Sequence, residues 1–122
     1  MSRKIIVLAF AGAWMALAPV TATASAFFSW QVADVPESEL LFVRAYPSSS
    51  SRPQAAYPNK ARLQMTGRCT DGVKLDIVNG EPATDQRQAV RHVWCEIWHN
   101  PTNRDDGWVN GWAYGKYIEP LR

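Results

Sequence analysis

The sequence predicts an all-β fold, and three observations support this prediction. Short apolar stretches alternate with turn segments rich in Pro, Gly, Asn and Ser, and no segment has the apolar periodicity of an amphipathic helix. Five or six such stretches fall in the 96 residues that follow a 26-residue leader. Because a two-sheet sandwich needs a longer chain, the pattern favours a small, strongly bent barrel of short antiparallel strands.

Residues 1–26 have the pattern of a secretory signal peptide. Arg3 and Lys4 precede an apolar run, and small residues follow as far as Ala26. An uncleaved membrane anchor is the alternative, but the stretch from Ile5 to Val20 has 16 residues, whereas a spanning helix needs about 20. We therefore expect one domain over residues 27–122, located in the bacterial periplasm or secreted, with no stable membrane span after cleavage.

The domain that follows the leader is electrically neutral. The whole chain has 13 Lys plus Arg against 11 Asp plus Glu, a net charge of +2, and Arg3 and Lys4 of the leader supply the difference. A neutral domain lacks the basic surface that nucleic acid or an anionic membrane requires. The sequence thus predicts no nucleic-acid partner and a ligand held by packing and hydrogen bonds.

The first half of the domain predicts three strands and one long loop. Leu41 and Val43 share a face of the second strand, and Leu63 and Met65 alternate with polar neighbours on the third. The segment YPSSSSRPQAAYP has three Pro and four Ser and too few apolar side chains for a core face, which predicts a loop. In chain order the elements are strand Trp30–Val35, strand Leu40–Arg44, loop Tyr46–Pro58 and strand Arg62–Gly67.

The second half contains the clearest strand and the least regular segment. VWCEIWH, residues 93–99, predicts a strand with one core face, and its two faces carry Val93, Cys95 and Ile97 and Trp94, Glu96 and Trp98. Residues 71–89 form a long insertion in which VKLDIV predicts a short strand before a turn at Asn79 and Gly80. The other predicted elements are a polar turn over residues 100–107, a strand over 108–113, a tight turn over 114–116 and a final strand over 117–119.

Cys69 and Cys95 are the two cysteines of the chain, and both follow the leader. An oxidising compartment makes one intramolecular disulfide the default, and it would tether the base of the insertion. A zinc site that adds His92 and His99 is the alternative. Its spacing fits no common zinc pattern, and on a strand His92 and Cys95 point to opposite faces. We therefore expect a disulfide, no metal and no cofactor.

Three segments, in this order, carry a family resemblance. LLFVRAYPSSSS (40–51) is similar to Leu-Asn-Val-Arg followed by a small residue, Pro and a Ser-rich loop. AYPNKARLQMTGRC (56–69) is similar to Leu-Pro-x-Gly-x-x-Leu-x-Val-x-Gly-Cys, and GWAYGKYI (111–118) to Gly-Trp-Val-x-x-x-Tyr-Leu. VWCEIW precedes the last segment, where a Trp-Cys-x-Val strand is usual. All of these patterns belong to the bacterial SH3-like (SH3b) domain, which the chain resembles from about Val32 to Pro120.

The resemblance implies an SH3-like barrel closed by the last segment. In such a barrel Trp112 would pack against the body of the fold, while Gly111 and Gly115 would permit the tight backbone around it. The chain departs from the pattern at Phe42, where Asn is usual, at Lys60, where Gly is usual, and in the length of the insertion. The implied structural residues are Val43, Arg44, Pro47, Gly111, Trp112 and Tyr117.

The strand VWCEIWH also supplies a candidate binding face. Trp94, Glu96 and Trp98 project from the face opposite its core side, and two exposed Trp are costly to leave without use. Aromatic planes pack on sugar rings or aliphatic side chains, and a carboxylate accepts hydrogen bonds. Tyr46 and Tyr57 of the long loop are candidates for the second wall of a groove. The alternatives are that a bulge turns one Trp inward, that the insertion covers both, or that the tyrosines pack within the loop.

A catalytic function has little support in the sequence. The two His lie in no recognisable constellation with a nucleophile, and Asp105-Asp106 in NRDDGW is typical of a solvated turn. With the resemblance, the sequence predicts an exported, monomeric, non-catalytic module that binds cell-wall peptidoglycan or its peptide stems. The alternative is an accessory protein-interaction subunit of a bacterial envelope assembly that docks through residues 71–89.

Overall fold

The computed structural model describes residues 27–121, so the predicted signal peptide lies outside the described residues. Within that range the domain has seven strands and two short helices, which confirms the all-β class and exceeds the five or six strands predicted. The strands are β1 (Phe28–Val32), β2 (Leu41–Arg44), β3 (Pro53–Tyr57), β4 (Arg62–Cys69), β5 (Trp94–His99), β6 (Val109–Tyr114) and β7 (Ile118–Pro120). The helices are α1 (Leu75–Val78) and α2 (Ala83–Val90), and short 3-10 turns follow β4 (Thr70–Gly72) and β6 (Gly115–Tyr117).

The seven strands form one antiparallel sheet in the order β3-β2-β6-β5-β4-β1-β7. Its end strands, β3 and β7, are not paired with each other in the described chain, so the sheet is open. It is nevertheless strongly curved. Three strand spacings of a flat sheet would separate β3 from β5 by about 14 Å, yet the hydroxyl of Tyr57 on β3 lies 2.7 Å from Nδ1 of His99 on β5.

A single core fills the concave face of this sheet. β1, β2, β4 and β5 each send alternate side chains into it, as their period-two burial shows. The predictions that Leu41 and Val43 share the core face of one strand and that Leu63 and Met65 share that of another are confirmed, because all four side chains are buried. The core side chains are Trp30, Val32, Val35, Leu41, Val43, Leu63, Met65, Cys69, Leu75, Val78, Val90, Val93, Cys95, Ile97, Ala113 and Ile118.

The predicted loop Tyr46–Pro58 is wrong in its second half, which is strand β3. Main-chain hydrogen bonds to β2 hold PQAAY in the sheet, and these bonds do not depend on apolar side chains. Pro53 is tolerated because it is the first residue of an edge strand, where no partner needs its missing N–H. Composition alone therefore predicted a loop where pairing with the neighbouring strand β2 forms a strand.

The predicted strand at Val73–Val78 is also wrong. Apart from an isolated bridge between Lys74 and Arg68, the segment forms α1, and the polar stretch after it forms α2. Leu75 and Val78, three residues apart on one helix face, are buried in the core, whereas Ile77 is 71% exposed. The apolar residues of VKLDIV include both the two-residue spacing of a strand and the three-residue spacing of one helix face. Core packing selected the helical spacing, which buries Leu75 and Val78.

The insertion is an integral part of the fold. Val90 at the end of α2 is completely buried. Arg87 of α2 forms ion pairs with Asp34 after β1 (2.5 Å) and with Glu119 on β7 (3.6 Å). Residues 71–89 are therefore packed against the sheet as part of the domain, with Leu75 and Val78 in the core and Arg87 paired to β7.

The disulfide between Cys69 and Cys95 is present, as predicted. The two residues are direct partners across β4 and β5, and both are buried. The bond closes the loop that contains α1 and α2. It also leaves no thiolate for the alternative zinc site.

Gly115 allows the chain end to pack against the insertion. A Cβ at this position would overlap the carbonyl oxygen of Val90 and lie 2.9 Å from that of Val93. The close approach lets the N–H of Gly115 donate to the Val93 carbonyl at 2.8 Å. Glycine is thus required here by space, as the resemblance implied.

Replacement of both cysteines by alanine should lower the free energy of unfolding by about 3 to 4 kcal/mol, because the closed loop no longer restricts the unfolded chain. Urea unfolding monitored by circular dichroism measures the difference. Reductant should weaken the wild-type protein and leave the double variant unchanged. A wild-type curve insensitive to reductant under unfolding conditions would contradict the prediction.

Gly115→Ala should destabilise the domain by about 1 to 3 kcal/mol, since Val90 and Val93 offer backbone atoms that cannot move aside easily. Gly80→Ala is the matched control. No atom lies within 4 Å of the Cβ it would add, and its expected effect is below about 0.5 kcal/mol. Equal melting temperatures for the two variants would show that the close approach at Gly115 is not needed.

Candidate ligand-binding face

The convex face of β5 carries the predicted aromatic residues. Trp94, Glu96 and Trp98 are half-buried and alternate with the fully buried Cys95 and Ile97. The predicted shared face is therefore confirmed. No bulge interrupts the pairing of β5 with β6, so both Trp side chains stay on the convex side.

Pairing with β6 adds Trp112 and Tyr114 to this convex face. Glu96 is the direct partner of Trp112, and Trp94 is the direct partner of Tyr114, and direct partners project on the same side of a sheet. Trp112 therefore packs on the convex side of the sheet and not in the core cluster. Trp112 is 9% exposed but lies outside the core cluster, beneath the guanidinium of Arg68 at 5.4 Å from the ring centre.

The carboxylate of Glu96 interacts with neighbouring side chains on this face. The Thr66 hydroxyl donates to its Oε1 at 2.8 Å, and Arg68 Nη2 lies 3.8 Å from Oε2. Its side chain is only 15% exposed. The carboxylate therefore holds Arg68 above Trp112, and little of it faces solvent.

An open cleft of about 430 Å³ lies beside Trp94. Trp94 and Tyr114 form one wall with ring centres 5.2 Å apart, and Tyr117 extends that wall at 6.3 Å from Tyr114. β2 and the segment before it supply the facing residues, of which Leu40 and Phe42 are each 47% exposed. The lining residues are Val35, Pro36, Glu39, Leu40, Leu41, Phe42, Arg44, Ser49, Trp94, Tyr114 and Tyr117.

Trp98 does not share this cleft. Its ring stacks on Trp108 with centres 6.0 Å apart and planes inclined by 20°. The pair borders a smaller hollow of about 200 Å³ together with Tyr57 and His99. The structure thus places the two candidate Trp on one face but in separate environments.

The predicted second wall of the groove is not where the sequence suggested. Tyr46 is 71% exposed and absent from the cleft lining, and Tyr57 belongs to the smaller hollow. Leu40 and Phe42 take that place. Phe42 carried a signal in the sequence, because its position between the core residues of β2 required it to point outward.

Comparison with known proteins gave no relative. No family model, no curated protein and no solved structure matches this chain.

The buried side chain of His99 closes a hydrogen-bonded chain across the concave face. Its Nε2 lies 2.8 Å from Oε1 of Gln54, whose own amide donates to the carbonyl of Asn110 at 3.1 Å. Oε1 can only accept, so Nε2 carries the proton and Nδ1 accepts from the Tyr57 hydroxyl at 2.7 Å. Burial lowers the pKa of His99 and raises that of Tyr57. This chain ties edge strand β3 to β5 and β6.

The described residues present no further chemical centre. Residues 27–121 contain no group of three or more His, Cys, Asp or Glu side chains able to hold a metal ion. Asp106, in the turn NRDDGW, forms an exposed ion pair with Arg104 at 3.1 Å. In the same range, no helix combines the length and apolar character needed to cross a bilayer.

The stability of the domain should fall as the pH is lowered through the pKa of His99. The folded pKa lies below the ordinary value of 6.5, so the unfolded chain takes up the proton first and gains stability relative to the folded state. The free energy of unfolding at about pH 5 should therefore be lower than at about pH 8. His99→Gln should flatten this dependence, and His92→Gln, at an exposed position, should not. Identical pH profiles for the wild type and His99→Gln would refute the assignment.

Proposed function

We propose that this protein is an exported, non-catalytic SH3b-like module that binds cell-wall peptidoglycan through the cleft beside Trp94. The cleft is the observation that carries the proposal. It is open, and its walls combine aromatic rings from β5 and β6 with the exposed apolar side chains of Leu40 and Phe42. Large apolar side chains that remain accessible around a concavity are typical of ligand sites.

Features of the fold support the likeness to SH3b domains. The sheet is short-stranded and curls until β3 contacts β5. Lys60 occupies the position where the resembled motif has Gly, and its φ of 75° lies in the left-handed region that glycine favours. Gly111 is required as well, because a Cβ there would lie 2.5 Å from Val43 Cγ1 and from Gln54 Oε1. The backbone at Lys60 thus adopts a conformation that glycine favours, which supports the likeness although the side chain departs from the motif.

The cleft suits the chemistry of the bacterial wall. Its aromatic rings offer flat apolar surfaces for sugar rings or for the aliphatic parts of a peptide. Val35, Pro36 and Leu41 add apolar lining, and two tyrosines of the lining carry hydroxyl groups that can form hydrogen bonds. The helices of the insertion do not line the cleft, so the insertion leaves it open to a polymer.

Co-sedimentation with purified peptidoglycan tests this proposal. The protein is expressed with its own leader and recovered after export, and the bound fraction is measured over a range of wall concentrations. Trp94→Ala should weaken retention by roughly tenfold or more, as expected for a central aromatic contact. Trp98→Ala is the matched control, because it removes the same side chain from the same strand and face but outside the cleft. Circular dichroism verifies the folding of both variants.

Equal weakening by the two substitutions would place the wall contact on the whole convex face rather than in the cleft. An absence of wild-type retention would refute wall binding. It would favour the accessory-subunit alternative, for which exposed Ile77 on α1 is the first surface residue to change.

A further inference from the structure

We infer that Arg44 anchors a carboxylate of the ligand, and that the cleft therefore takes the peptide stems of the wall rather than its sugar strands. This inference rests on the proposed function and identifies the part of the polymer that the cleft binds. Arg44 was expected to be only a structural motif residue. Its surroundings point to a second role.

Arg44 is the last residue of β2 and is held on both sides. Its backbone pairs with Trp112 on β6 and with Pro53 on β3. Its Nη1 donates to the carbonyl of Ser51 at 2.8 Å, and its guanidinium lies 5.6 Å from the ring centre of Phe42. These contacts fix a half-buried guanidinium at the wall of the cleft before any ligand arrives.

The charge of Arg44 is not neutralised within residues 27–121. The four ion pairs in that range involve Arg68, Arg87 and Arg104. One of the five guanidinium N–H donors of Arg44 has a protein acceptor. A partly desolvated guanidinium against aromatic rings gains most from a carboxylate, which accepts two parallel hydrogen bonds.

The cleft also contains an acidic side chain without a cationic partner in the described chain. Glu39 lines it, is exposed, and takes part in none of the four ion pairs. A cleft that holds one unpaired cation, one unpaired anion and aromatic walls complements a short peptide with a carboxylate, an ammonium group and aliphatic side chains. Uncharged sugar rings could hydrogen-bond to these groups but would offer no opposite charge to either of them. The stem peptides carry all three kinds of group, which favours them as the occupant.

Calorimetric titration of the exported protein with two synthetic stem peptides tests the inference. The peptides share one sequence with a lysine side chain and a D-alanyl end, and they differ only in a free carboxylate or a carboxamide at the C-terminus. Loss of the carboxylate should weaken binding roughly 10- to 100-fold, the range for a hydrogen-bonded charged group. Arg44→Gln should weaken binding of the acid peptide by a similar factor and remove the preference for it. Arg44→Lys should retain part of the preference, because it keeps the charge without the planar fork.

Arg52→Gln is the matched control, since Arg52 is an exposed arginine of the same loop region that does not line the cleft. It should bind both peptides as the wild type does. The comparison of acid with amide on the wild type requires no variant and remains decisive if Arg44→Gln fails to fold.

The outcomes separate this inference from the proposed function. Equal affinity for acid and amide, or no binding of either peptide, would overturn the role of Arg44 even if the protein still sediments with intact wall. A clear preference for the acid peptide would support it even if retention on intact wall failed. The all-L isomer of the acid peptide is titrated as well, and binding of this isomer as tight as or tighter than that of the D-terminal peptide would overturn the assignment to the wall.

Discussion

The alternation of side chains along β5 is the constraint on which the rest of the structure depends. β5 lies between β4 and β6, and its concave side provides Cys95 and Ile97 to the centre of the core. Its convex side provides Trp94 and Trp98 to two aromatic environments. A slip of one residue would exchange the two sets and destroy the core and the cleft together. The candidate site is therefore as fixed as the core, because both are built on one strand.

The segment between the two cysteines shows how a small domain obtains enough core. A sheet of short strands buries limited apolar area by itself, and a chain of this size has little to spare. Here the insertion folds back as α1 and α2, and it adds Leu75, Val78 and Val90 to the interior. The disulfide closes the ends of that excursion across adjacent strands. The insertion thus supports the sheet from outside the cleft.

Some polar side chains of the domain have hydrogen-bond or ion-pair partners within the fold, and others keep groups that are available to a ligand. Glu96 is matched by Thr66 and Arg68, and His99 by Tyr57 and Gln54, so both serve the structure. Arg44 differs because its position is fixed while its charge has no carboxylate partner in the described chain. A pre-oriented charge beside aromatic rings favours ligand binding, since the cost of ordering it has already been met during folding.

Some properties of this protein follow from the sequence alone because they depend on local pattern. The alternation in VWCEIWH determined which side chains of β5 face the core, and the presence of two cysteines predicted the disulfide. Other properties depend on partners distant in the chain. PQAAY became a strand because β2 supplies hydrogen bonds to it, and VKLDIV became a helix because the core accepted Leu75 and Val78 on one helix face.

Trp112 lies on the convex face because its register with Glu96 puts it there, and Phe42 meets Trp94 in one cleft because the sheet brings β2 beside β6. Strand order and register are long-range choices, which a single sequence does not display but which the packed structure decides.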